Sequence, residues 1–109
     1  MVLPDADTHG FTSYGGGARC SGSDRAAMIV RTALSALVVC ENDAGARYYR
    51  GYRLSDGATL ELDDVSADGG ALVAINPADG TRYEVTTAGL KIVQQGTVVS
   101  NEPAIEAAS

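Results

Sequence analysis

Apolar and polar positions alternate with period two along much of the chain. Over residues 81–87, Tyr83 and Val85 fall on one side, and Arg82, Glu84 and Thr86 on the other. Leu60 and Leu62 alternate with Thr59 and Glu61, and Leu90 and Ile92 flank Lys91. Each segment predicts a half-buried β-strand, because successive strand side chains point to opposite faces. The stretch Ala71 to Ile75 is almost continuously apolar. It predicts a strand covered on both faces.

The segment from Ala26 to Cys40 fits two templates. Ala27, Val30, Leu34, Leu37 and Val38 recur at helical spacing, while Met28, Val30, Thr32, Leu34, Ala36, Val38 and Cys40 alternate. The Val38-Val39 pair and the turn residues after Asn42 favour a strand over 35–41. Residues 26–33 fit either a strand or a short helix near residues 25–33, capped by Asp24, and both stay open.

Turn chemistry punctuates these segments. Asp56-Gly57, Asp68-Gly69 and Asp79-Gly80 lie 12 and 11 residues apart. Asp caps such turns through its carboxylate, and glycine takes the positive φ they need. Asn42-Asp43-Ala44-Gly45 and Gln94-Gln95-Gly96 read the same way, with hairpins expected at Pro77–Gly80 and Gln94–Thr97. Short strands at this spacing predict an all-β fold, a small meander closing as a barrel or a two-sheet sandwich.

Length and charge narrow the picture. The chain has 109 residues, enough for one domain. Residues 1–19 carry Asp5, Asp7, the single histidine His9 and Gly15-Gly16-Gly17, a composition expected of a flexible N-terminal tail. A single β domain is expected over 20–105, with residues 106–109 frayed. The net charge of −6 argues against nucleic acid and against an anionic membrane surface as partners. No apolar run approaches the ~18–20 residues of a membrane span, so direct membrane insertion is not expected. The first residues have neither a basic region nor an apolar stretch, so no signal peptide is read there and any leader is expected to be absent from this chain.

Cys20 and Cys40 are the only cysteines. Their spacing matches neither a zinc site nor a Cys-x-x-Cys redox pair. A disulfide is favoured, which would place the protein outside the cytoplasm; the alternative is two unrelated thiols packed as small hydrophobes. Asp5-Ala6-Asp7-Thr8-His9-Gly10 opens like a calcium loop, but the later oxygen ligands are missing. Asp63, Asp64 and Asp68 read as a solvated acidic turn. The triple glycine lacks the Gly-Lys-Ser/Thr ending of a phosphate loop and reads as a linker. No metal or other cofactor is expected. Catalysis is not expected either, because the only histidine lies in the tail segment and the carboxylates fall in turns.

The densest chemistry is the ribbon Arg47-Tyr48-Tyr49-Arg50-Gly51-Tyr52-Arg53, which holds three of five tyrosines. Tyr and Arg are enriched at binding hot spots. Strand parity puts Arg47, Tyr49, Gly51 and Arg53 on one face and Tyr48, Tyr52 and Leu54 on the other. The first set is the candidate binding surface, with Gly51 as a notch, and the second set is assigned to the core. Arg50 shares the second parity, which demands either a buried carboxylate partner or a bulge. The local positive charge points to an anionic or aromatic-stacking ligand. The alternative is a structural strand whose arginines keep it soluble.

From Cys20 on, the chain strings together the Val-Val-Cys strand, Tyr-Arg-Gly-Tyr-Arg-Leu-Ser-Asp-Gly-Ala, Gly-Thr-Arg-Tyr-Glu-Val, Gly-Leu-Lys-Ile-Val and Asn-Glu-Pro-Ala. This order resembles a group of small actinobacterial envelope or secreted β-domains of unassigned function, over about residues 20–105. The resemblance implies an exported, disulfide-bonded β-domain and nothing about a ligand. The expected function is a non-catalytic extracytoplasmic interaction or accessory domain, partnered by another protein or an envelope component. A small-ligand-binding barrel of the cell envelope and a structural or assembly subunit are the alternatives; a ligand-sized cavity would favour the former.

Overall fold

The alternating segments all become strands in the computed structural model, which describes residues 3–109. In chain order these are β1 (Ala6–Asp7), β2 (Gly10–Phe11), a 3₁₀ turn at Tyr14–Gly16, β3 (Arg25–Thr32), β4 (Ser35–Glu41), β5 (Arg47–Arg53) and β6 (Thr59–Leu62). Then follow β7 (Ser66–Asp68), β8 (Ala71–Ile75), β9 (Arg82–Thr86), β10 (Gly89–Gln94) and β11 (Thr97–Ala108). The all-β expectation holds. No helix among the described residues is long and apolar enough to cross a membrane.

Nine strands form one antiparallel sheet in the order β6-β5-β4-β3-β11-β10-β9-β8-β7. It consists of two meanders, β3 to β6 and β7 to β11, joined where β11 pairs with β3. Strand β11 serves both. Its first part pairs with β10, as far as Gly89↔Pro103, and its last part pairs with β3, from Ala104↔Thr32 to Ala108↔Ile29. A register shift between Ala104 and Glu106 marks the corner, next to a proline that cannot donate to a ladder.

The sheet curls into a half-barrel and does not close, which corrects the closed-barrel expectation. Its two edges, β6 and β7, are joined by only three residues, Asp63 to Val65. The joined ends, Leu62 and Ser66, therefore lie within about 14 Å, the reach of that linker, yet the two edge strands share no ladder among the described residues. Strand β7 is three residues long and exposed throughout, which leaves it little to bury by pairing further.

One open alternative is settled and two other expectations change. Residues 25–32 are strand, not helix, because β3 is the central strand that joins the meanders and needs ladder partners on both sides. Residues 106–108 do not fray: they pair with β3, and Arg31 donates to Glu106 Oε1 at 2.6 and 2.9 Å. Residues 3–19 are not a tail. They cover the convex face of the first meander, where Phe11 and Ala18 are buried with Cys20, Ile29, Ala36, Val38 and Cys40. Tyr14 adds an edge-on contact to Phe11 and a tilted contact to Tyr52, at 5.5 and 5.0 Å.

This layer has no core of its own and borrows one from the sheet. Its backbone is tied by Phe11 N to Ala18 O (2.9 Å), Cys20 N to His9 O (2.8 Å) and Ala26 N to Thr8 O (2.8 Å). Cys20 and Cys40 form a disulfide that fastens the layer to β4. Arg19 donates two bonds to the Asp7 carboxylate, at 3.1 and 3.0 Å. Those bonds and the His9 N–H hold the Asp7 carboxyl below its ordinary value.

The main core lies on the concave side, between the meanders. Met28, Val30, Leu37, Val39, Tyr49 and Leu62 from the first meet Ala74, Val85 and Leu90 from the second. Hairpins form at Asn76–Gly80, where Gly80 N donates to Asn76 O at 2.8 Å, and at Gln94–Thr97. Gly57, Gly69 and Gly80, the glycines of the three Asp-Gly turns, all have positive φ.

Candidate functional site

Strand β5 carries the ribbon, and its parity is as expected: Tyr49 and Gly51 face one way, Tyr48 and Tyr52 the other. The open face is not. Both sides of β5 are covered. Tyr48, Tyr52 and Leu54 pack beneath the N-terminal layer, while Tyr49 points into the concave core and is only 3% exposed. The surface assigned to Arg47, Tyr49, Gly51 and Arg53 is therefore corrected from a flat exterior to the inner wall of the half-barrel. Curvature is the cause, since the second meander folds over that side.

Three of those four residues still share a site. Tyr49, Gly51 and Arg53 line a cleft of about 340 Å³ at the mouth of the concave face, together with Leu60, Tyr83 and Glu102. Arg47 does not belong to it. It sits at the other end of β5, where its Nε is 3.8 Å from Glu41 Oε2 and makes no hydrogen bond. Gly51 is not an empty notch. A Cβ there would lie 2.8 Å from the Tyr49 hydroxyl oxygen, so glycine is what allows the Tyr49 ring to lie along its own strand.

The Tyr49 and Tyr83 rings are 5.4 Å apart and tilted by 35°. Burial pushes the Tyr49 phenol well above its usual value, and the neighbouring Tyr83 and Glu102 charges push it the same way. Burial also raises Tyr83, assisted by Asp79. The Tyr49 hydroxyl makes no hydrogen bond to any described residue. It is not sealed in either, because Arg47 Nε is the one fully enclosed side-chain polar atom without a partner among the described residues. Tyr49 is among the residues that line the cleft.

Glu102 is the polar end of the site. It is 6% exposed and lies opposite Leu90 on β10, in an inward row with Val85 and Leu72. Thr32 Oγ1 donates to Glu102 Oε1 at 2.7 Å, and Ser100 Oγ donates to Oε2 at 3.1 Å. Thr32 Oγ1 is itself fixed by the Leu34 and Ser35 N–H groups at 3.1 and 3.0 Å. Glu102 makes no ion pair among the described residues. Sequence reasoning did not single out Glu102, whose inward position comes from its pairing with Leu90. Alternation put Tyr83 on the Val85 side of its strand, but its meeting with Tyr49 was not foreseen.

The chain matches no family model, no curated protein and no solved structure.

The three arginines of the ribbon are each matched by a carboxylate. Arg47 faces Glu41, Arg50 pairs with Glu61 at 3.3 Å, and Arg53 faces Asp56 at 3.4 Å. Arg50 resolves its parity conflict on the convex side: its Nη1 donates to Arg19 O at 2.9 Å, and its guanidinium lies 5.6 Å from the Tyr48 ring centre. Its carboxylate partner, Glu61, is half exposed rather than buried. The local positive charge that suggested an anionic ligand is therefore largely offset within the fold.

His9 lies on the convex side, where its Nδ1 donates to the Asp24 carbonyl at 2.8 Å. Among the described residues the cleft lining contains neither His, Cys nor Lys, and one carboxylate. It offers shape, aromatic surface and hydrogen-bonding groups.

Proposed function

We propose that this protein is a non-catalytic accessory domain working outside the cytoplasm, and that it binds a small molecule in the cleft between its two meanders. The cleft carries this reading. Its volume of about 340 Å³ falls within the range of small-ligand pockets, roughly 300–1,000 Å³. Its apolar walls and few convergent polar groups match their usual make-up, and the Tyr49 hydroxyl has a hydrogen bond left to give. The reading takes the ligand-binding alternative over a flat protein-interaction surface, because the ribbon residues face inward. The Cys20–Cys40 disulfide supports an oxidising compartment. The absence of an acid–base pair or activated nucleophile in the cleft supports a binding role.

The test is retention of small molecules from a cell-envelope extract, read by native mass spectrometry, for the wild type and Gly51→Ala. An added Cβ pushes the Tyr49 ring toward the cavity, so the variant should lose the bound mass while keeping its strand circular dichroism. A wild type that retains nothing, with unchanged Tyr49 and Tyr83 ring resonances, overturns the reading.

A further inference from the structure

We propose that the cleft selects an organic cation, an ammonium group carried on a short apolar body. This inference rests on the ligand-binding reading above and adds the ligand's charge. Glu102 is buried and accepts only two neutral hydroxyl bonds, with no counter-ion among the described residues. A buried carboxylate without an opposite charge is costly, and a cation entering the cleft supplies what the fold leaves out. The tyrosine pair points to the same chemistry from an independent direction. Ring faces attract ammonium groups through their quadrupole, most strongly where water is excluded; Tyr49 and Tyr83 pack on each other at 5.4 Å, so a cation would meet the pair from the cleft side and not between the rings. Glu102, Tyr49 and Tyr83 line the same cleft, so the carboxylate and the rings border one space.

The walls suit the rest of such a molecule. Leu34, Leu60, Leu90 and Ile92 line the same cleft and would cover an alkyl or aryl body. The one cation at the rim, Arg53, has a side chain 62% exposed and faces Asp56 at 3.4 Å, so solvent and that carboxylate offset it. The chain's net charge of −6 favours approach of a cation over an anion.

Three probes of equal chain length separate the charge from the cavity: hexyltrimethylammonium, hexyl glucoside and hexyl sulfate, titrated while Tyr49 and Tyr83 ring resonances are followed by NMR. The ammonium probe should bind at least about tenfold more tightly than the neutral one, and the sulfate most weakly. Glu102→Gln keeps the side-chain shape and should bring the ammonium and neutral probes to within about twofold of each other. Tyr83→Leu should weaken the ammonium probe more than the neutral one, a readout independent of Glu102. Equal binding of all three probes, or preference for the sulfate, overturns the cation assignment while leaving the cavity reading intact. An ammonium preference that survives Glu102→Gln overturns the role of Glu102. If no probe moves the tyrosine resonances, both readings fall.

Discussion

The two meanders bury their convex faces to different degrees, and their sequences differ accordingly. In the first, Ala36, Leu37, Val38, Val39 and Cys40 are all fully buried: Leu37 and Val39 face the concave core, while Ala36, Val38 and Cys40 lie beneath the N-terminal layer. The uninterrupted apolar run records two covered faces. In the second, β9 alternates. Val85 is buried inward, while Arg82 and Glu84 form a charged outer surface with Asp68. Strand β8 shows where run length misleads. Ala71–Ile75 was expected to be covered on both sides, yet Ile75 is half exposed. Val73 is buried on the outside without a second layer. It pairs with Ser66 and Glu84, and Arg82 bonds both Glu84 and Asp68 on the strands that flank it, which makes the Arg82 side chain the candidate local cover.

The comparison breaks most directly at Phe11, which is 1% exposed at the centre of the outer cluster. Phe11→Ala should cost about 3–5 kcal/mol. Val98→Ala, at a position of β11 that is 51% exposed, should stay within about 0.5 kcal/mol. Denaturant titration of both variants checks the contrast, and equal small losses would mean that residues 3–19 do not hold the first meander.

Next in size is the disulfide. Replacing Cys20 and Cys40 by alanine together should cost about 3 kcal/mol in the chain-entropy picture. The loss should appear first as faster proteolysis within residues 3–24, with β7 to β11 unaffected. Uniform cleavage along the chain would show that the layer is not separately fastened.

Arg82→Ala tests the substitute cover over the second meander. Its ion pairs are partly exposed, so only a small loss of stability is expected, with faster amide exchange at Val73. Unchanged exchange at Val73 would show that Arg82 does not shield it.

The smallest effect is a pH dependence. The Asp7 carboxyl is held below its ordinary value of 3.8, first by the Arg19 hydrogen bonds and then by the His9 N–H. A lowered folded value means that its contribution is complete above the ordinary value and is lost as pH falls through the folded one. The wild type should therefore lose melting temperature below about pH 4 more steeply than Asp7→Asn. Parallel curves would remove this carboxylate from the fastening of the layer.

The half of the fold that could be read in advance rests on local chemistry. The glycines of Asp79-Gly80 and Gln95-Gly96 take the positive φ that tight turns need, so the hairpins at Pro77–Gly80 and Gln94–Thr97 followed from the residues alone. Period-two alternation placed Tyr83, Val85, Leu60, Leu62, Leu90 and Ile92 correctly. The N-terminal layer was hidden because residues 3–19 are poor in apolar side chains, and Phe11 and Ala18 become core only on a surface that β3, β4 and β5 provide.

The same division runs through the candidate site. By itself the sequence determined that the chain is all-β, that Tyr49, Gly51 and Arg53 share a side of one strand, and that the two cysteines were best explained as partners. Parity tells which residues lie together on a strand, but not whether that side is inside. The tertiary structure decided this by curling the second meander over β5, which buried Tyr49, brought Tyr83 to it and turned Glu102 inward opposite Leu90. The Tyr49–Tyr83 contact and the Thr32–Glu102 hydrogen bond join strands more than thirty residues apart along the chain, and no local pattern of spacing or charge specifies them.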